Sequence, residues 1–107
     1  MNQITPQQLQ AWLADSSRER PVMLDVRESW ELEICCLPGC VRIPMNSVPG
    51  RQEELQSDRE TVVVCHHGGR SMQIASFLEQ NGFTNVYNLS GGVDAWAREV
   101  DPTMATY

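Results

Sequence analysis

The sequence predicts a three-layer α/β domain, with a central parallel sheet flanked by helices. Two observations carry this: short continuous apolar runs, and a helical stretch between successive runs. A strand covered on both faces reads as an unbroken apolar run, because both sets of its side chains are buried. Thr61-Val62-Val63-Val64 is the strongest such run and is β-branched throughout. Val22-Met23-Leu24, Val86-Tyr87-Asn88-Leu89 and the weaker Cys40-Val41-Arg42-Ile43 complete the set. Strand and helix in alternation imply right-handed crossovers and layered packing.

The chain begins with helix-start signals. Thr5 and Gln8 stand at capping-box spacing, Pro6 takes the first helical position, and Ile4 with Leu9 forms a hydrophobic staple. Leu9, Trp12 and Leu13 repeat at helical spacing and define one apolar face. Asp15–Arg20 is polar, and Pro21 stops any helix ahead of the next strand. Arg70–Asn81 is the clearest helix, its apolar face made by Ile74, Ala75, Phe77 and Leu78. Gly82 suits its C-terminal stop, with Phe83 supplying the hydrophobic contact that follows. Trp12 and Trp96 read as core aromatics. The 107 residues form one domain, 1–107, with a core of about 4–98 and a patternless, loose tail at 99–107.

Composition narrows the function. The hydrophobic fraction of 41% suffices for a packed core without disulfide or metal staples, and the charged fraction of 21% is too low for disorder. A formal charge of −6 argues against nucleic acid or an anionic membrane as partner, so any bound anion needs a local site. No apolar run has the length of a membrane span, and Met1–Gln10 lacks the build of a secretory signal. The expectation is a cytoplasmic protein whose four cysteines, Cys35, Cys36, Cys40 and Cys65, are free thiols.

The sharpest feature is Cys65-His66-His67-Gly68-Gly69-Arg70-Ser71, directly after the strongest strand and directly before the clearest helix. Ligands of α/β sheets bind beyond the carboxyl ends of strands, so the position suits a site. Gly68 and Gly69 let the backbone curl and turn several N–H groups toward one point, at the positive end of the following helix. A thiol there is biased toward thiolate by those groups and by Arg70, with His66 and His67 as further donors. An inert thiol at a strand end followed by an ordinary turn is the plain alternative. The coincidence of strand, cysteine, Gly-Gly, arginine and helix favours a functional loop.

This segment resembles the active-site loop of the rhodanese family. Three further pieces agree in order: Leu24-Asp25-Val26-Arg27-Glu28 is similar to the family's first core strand with its Asp-x-Arg signature. Leu37-Pro38-Gly39-Cys40-Val41-Arg42-Ile43-Pro44 is similar to its His-Ile-Pro-Gly-Ala segment. Asn88-Leu89-Ser90-Gly91-Gly92-Val93-Asp94-Ala95-Trp96 is similar to its closing Gly-Gly-x-x-Ala-Trp motif. The likeness runs from about Ile4 to Ala97.

The resemblance implies a rhodanese-like fold and a thiosulfate sulfurtransferase type of enzyme, with Cys65 as the catalytic nucleophile that carries sulfur as a persulfide. It implies substrate binding by His66, His67, Gly68, Gly69, Arg70 and Ser71. The donor is a small sulfur-containing anion such as thiosulfate, or another persulfide; the acceptor is a thiol, cyanide or a carrier protein. No metal and no organic cofactor is called for. Two rival readings fit the same loop. One is a non-enzymatic persulfide carrier or sensor, which needs the same cysteine. The other is a cysteine-dependent phosphatase, whose loop has five residues between cysteine and arginine; here there are four.

Asp25 and Arg27 read as a structural pair near the site, with Glu28 in the same polar network. Cys35-Cys36-x-x-x-Cys40 departs from the family pattern, since Cys35 and Cys36 replace the usual Gly-His. These thiols fill space as small semi-buried residues, or relay sulfur from Cys65, or join His66 and His67 at a metal whose spacing matches no standard zinc pattern.

Overall fold

The computed structural model describes residues 1–107. Five strands form one sheet in the order β1-β5-β4-β2-β3, every adjacent pair parallel. They are β1 (Asn2–Ile4), β2 (Val22–Asp25), β3 (Val41–Arg42), β4 (Thr61–Val64) and β5 (Val86–Leu89). The helices are α1 (Pro6–Ala14), α2 (Ser29–Ile34), α3 (Val48–Arg51), α4 (Gly69–Gln80) and α5 (Gly92–Glu99). The expected α/β architecture is therefore present. No helix is long and apolar enough to cross a membrane.

Strand alternation sorts the apolar residues into two cores, one on each face of the sheet. Leu24, Val63 and Cys65 join Ile74, Ala75, Leu78 and Phe83 from α4 and the turn after it. Met23, Val62 and Val64 point the other way, toward Leu9 and Trp12 of α1 and Val93 and Trp96 of α5. Cys65 is thus placed by the two-residue period of β4 extended by one position.

The start signals of α1 are all realised. Gln8 N–H donates to Thr5 Oγ1 at 3.1 Å, Thr5 N–H donates to Gln8 Oε1 at 2.9 Å, and Ile4 and Leu9 share one core. At the end of α4, Phe83 N–H donates to the Leu78 carbonyl at 3.1 Å across Gly82, whose φ is +93°. Trp12 and Trp96 are buried, and Trp12 Nε1 donates to the Glu19 carbonyl.

Three features differ from the sequence expectation. Strand β1 pairs with β5 at the sheet edge; three residues are too few to show a period. Helix α2 has a single buried residue, Glu31, so it carries no apolar stripe to read. Residues 99–107 are not a loose tail. Glu99 closes α5, Met104 and Tyr107 pack against the second core, and the Tyr107 hydroxyl bonds to two charged side chains.

Candidate active site

The carboxyl ends of β2, β4 and β5 meet at one end of the sheet, and the turns that follow them are laced together. Val26 N–H donates to the Val64 carbonyl, Val93 N–H to that of Cys65 (2.9 Å), and Asp94 N–H to that of His66 (3.0 Å). The start of α5 therefore clamps the loop between β4 and α4 through the main chain. Gly92 makes this approach possible. Its φ is +60°, and a Cβ there would lie 2.3 Å from both the Cys65 and His66 carbonyl oxygens. Gly92→Ala is accordingly expected to displace the loop and cost on the order of 3 kcal/mol or more, from left-handed strain and the backbone clash together. Urea unfolding measures it, and a loss below about 1 kcal/mol would show that the clamp yields.

Cys65 is 1% exposed and sits where the loop curls. Its Sγ accepts from Gly68 N–H at 3.0 Å and Ser71 N–H at 3.3 Å, and its thiol donates to Ser71 Oγ at 3.2 Å. Gly68 precedes α4 with φ +106°, a conformation that costs glycine nothing. Both donors lie at the positive end of α4, so negative charge on sulfur is met by oriented N–H groups and the helix end. Of the predicted cradle His66–Ser71, these two N–H groups and the Ser71 hydroxyl bond the sulfur. Ser71 Oγ in turn donates to Asn88 Oδ1, and Asn88 Nδ2 donates to Gln3 Oε1 at 2.9 Å. This chain, buried at Ser71 and Asn88, fixes the Ser71 hydroxyl. A polar residue inside an otherwise apolar strand was the signal for Asn88.

The charged side chains form closed pairs around the loop. Arg27 and Asp25 are fully buried and joined by a bidentate contact, with Arg27 Nη2 2.7 Å from Asp25 Oδ2 and Arg27 Nε 2.9 Å from Asp25 Oδ1. Arg27 also donates to the Cys35 carbonyl at 2.8 Å and to the Tyr107 hydroxyl at 3.0 Å, tying the strand end to two neighbouring segments. Burial works against its charge, yet the bonds to Asp25 and Tyr107 raise its pKa overall. The predicted network partner Glu28 gives way to Glu31, because the first turn of α2 turns the latter inward. Glu28 contributes its main-chain N–H, which donates to Glu31 Oε1 at 3.1 Å.

Arg70 binds Glu31 through two parallel contacts, 2.7 and 2.8 Å. The Arg70 hydrogen bond leads in holding the Glu31 carboxyl down at about 2, against burial and with help from Tyr107. Arg70 itself is raised, first by that bond. The Tyr107 hydroxyl donates to Glu31 Oε2 at 2.7 Å, while its ring stacks on His66 with centroids 3.9 Å apart. Burial, then the neighbouring His67, holds His66 below the usual histidine range, so it is neutral at pH 7. His67 is exposed, its Nε2 3.9 Å from Asp94. Nothing in the sequence signalled Tyr107, a residue in a segment without periodicity. Glu31 stands three residues after Glu28 in the first turn of α2, a spacing that marks a helix start.

The other cysteines are free and lie off the cradle. Cys40 is pushed up to about 12 by burial, which makes it a poor nucleophile at neutral pH. Cys36 Sγ accepts from Arg42 at 3.2 Å, and Cys35 Sγ lies 3.8 Å from Arg27 Nη1. The group of potential ligands close enough to share an ion is His66, His67 and Asp94, with no cysteine among them. The geometry does not assemble a cysteine–histidine metal centre.

Fold and site together define an α/β domain that presents one buried cysteine in a backbone anion cradle at the start of a helix. The chain belongs to the rhodanese-like domain family, whose profile matches residues 5–99. It is 36% identical over 105 residues to a protein named sulfurtransferase from Allochromatium vinosum, covering 98% of this chain and 96% of that one. It is 38% identical over 84 residues to the putative sulfurtransferase YtwF of Bacillus subtilis, covering 78% and 81%. The rhodanese-like domain protein from Staphylococcus aureus superposes with a TM-score of 0.85 at 28% identity, over 100% of this chain and 99% of that one. The chain also matches longer proteins. It spans 30% of the Arabidopsis thaliana rhodanese-like/PpiC domain-containing protein 12, at 42% identity over 89 residues.

Proposed function

We propose that this chain is a sulfurtransferase that carries sulfane sulfur on Cys65. The observation that supports it best is the convergence of Gly68 N–H and Ser71 N–H on Cys65 Sγ at the start of α4. The Cys65 thiolate attacks the outer sulfur of a donor, thiosulfate or a persulfide. The sulfur–sulfur bond of the donor breaks, and sulfite or a thiolate leaves with the bonding pair. The new persulfide anion is held by the same N–H donors. An acceptor nucleophile, a thiol, cyanide or a carrier protein, then attacks the outer sulfur and the Cys65 thiolate departs. Each step is a displacement at sulfur, so electrons balance without a redox cofactor.

The buried Arg27–Asp25 pair supports a structural role for these two residues, holding the β2 end on which the cradle leans. The relatives named sulfurtransferases support the transfer reading. A protein named thiosulfate sulfurtransferase from Haemophilus influenzae, 30% identical over 105 residues, supports thiosulfate as one donor. A covalent carrier implies ping-pong kinetics. With a persulfide or thiosulfate varied against cyanide, thiocyanate formation should give parallel double-reciprocal lines. Intersecting lines would mean direct transfer in a ternary complex and would remove the Cys65 intermediate.

A further inference from the structure

We propose that Glu31 sets the class of sulfur donor by neutralising Arg70, steering the site toward persulfides of uncharged thiols and away from thiosulfate. This rests on the sulfur-transfer reading of Cys65 and concerns only which donor that cysteine prefers.

Three arginines lie around the loop, and each is already paired. Arg27 is bound to Asp25, Arg70 to Glu31, and Arg98 to Asp94 at 3.2 Å. Arg42 stands apart at the sheet edge, bonded to Cys36. His66 is neutral at pH 7. The sulfur is therefore met by main-chain N–H groups, with no unpaired arginine beside it. Glu31 is well placed to hold this state. Its side chain is 3% exposed, Arg70 grips both carboxylate oxygens, and Tyr107 donates to one of them. Only the arginine end of the pair reaches solvent, with Arg70 36% exposed.

The two donors differ in the charge their leaving groups acquire. With thiosulfate, a dianion approaches a thiolate and a sulfite dianion departs, leaving one negative charge on the Cys65 persulfide. Two like charges must be tolerated next to a third, inside a chain whose formal charge is −6. With the persulfide of an uncharged thiol, the leaving group is a single thiolate, which takes a proton from solvent. Main-chain donors suffice for one charge at a time. A free arginine would favour the dianion; an arginine locked to a buried carboxylate presents almost no net field.

Glu31 acts through Arg70, so its signature is a ratio between donors rather than an overall rate. The test compares kcat/KM for thiosulfate with that for the persulfide of 2-mercaptoethanol, cyanide being the common acceptor. Glu31→Gln keeps the shape and removes the charge, and should raise the thiosulfate-to-persulfide ratio about tenfold. Arg70→Ala leaves the carboxylate unpaired and should lower the ratio. The double variant Glu31→Gln/Arg70→Ala should return it to near the wild-type value. An unchanged ratio in both single variants would overturn the proposal, and either variant alone is informative if the other fails to fold. Absence of sulfur uptake by the wild type from both donors would instead overturn the sulfur-transfer reading itself.

Discussion

Cys65→Ser is expected to lower thiocyanate formation by at least about 10³-fold while leaving the fold intact. The reaction needs a polarizable thiolate that can form and release a sulfur–sulfur bond, and serine cannot do this at neutral pH. The fold does not need the thiol in the same way. A serine hydroxyl occupies less space than the thiol, and the Gly68 and Ser71 N–H groups that now point at sulfur would point at its oxygen. Hydrogen-bond satisfaction is preserved, so the stability change should stay within about 1 kcal/mol. Circular dichroism and urea unfolding check the second half, and a thiocyanate assay the first. Residual activity within about tenfold of wild type would move the chemistry to Cys35 or Cys36. Cys40, raised to about 12 by burial, is the least suited of the remaining thiols.

Asp25→Ala is expected to destabilise the fold severely, by about 3–5 kcal/mol. Asp25 and Arg27 have no exposed side-chain surface, and the carboxylate is the only negative charge bonded to that guanidinium. Removing it strands a cation in the interior, because arginine does not deprotonate there. A domain of this size has a total stability of about 5–15 kcal/mol, so much of the margin would go. The damage should reach the site as well, since Arg27 holds the Cys35 carbonyl and the Tyr107 hydroxyl, and Tyr107 covers His66. The urea midpoint measures the effect. A shift equivalent to less than about 1 kcal/mol would mean that water reaches Arg27 and the pair is not the internal brace described above.

The parts legible in the sequence were those written in local chemistry. The capping box of Thr5 and Gln8 is realised bond for bond, because its partners are three residues apart. The β-branched run Thr61–Val64 reads as the strongest buried strand, and its position fixed that of Cys65 and the turn into α4. Gly68 and Gly69 announced the curl of the loop, although the need for Gly92 came from an approach between segments far apart in sequence. The illegible parts depend on such distant contacts. Glu31 meets Arg70 across 39 positions and Tyr107 across 76, and no period or spacing encodes either meeting. Arg70 is the instructive case. In the sequence it stands as a free cation beside the sulfur, whereas in the fold a buried carboxylate has claimed it. Strand β1 was hidden for another reason: an edge strand of three residues takes its stability from β5 rather than from its own pattern.

The most direct test of sulfur carriage on Cys65 is intact mass spectrometry of the wild type and Cys65→Ser after exposure to the persulfide of 2-mercaptoethanol and, separately, to thiosulfate. The wild type should gain the mass of one sulfur atom, lose it on addition of cyanide, and regain it with fresh donor, while Cys65→Ser gains nothing. An equal gain in both proteins would place the sulfur on another cysteine, and no gain in either would contradict the persulfide carrier outright.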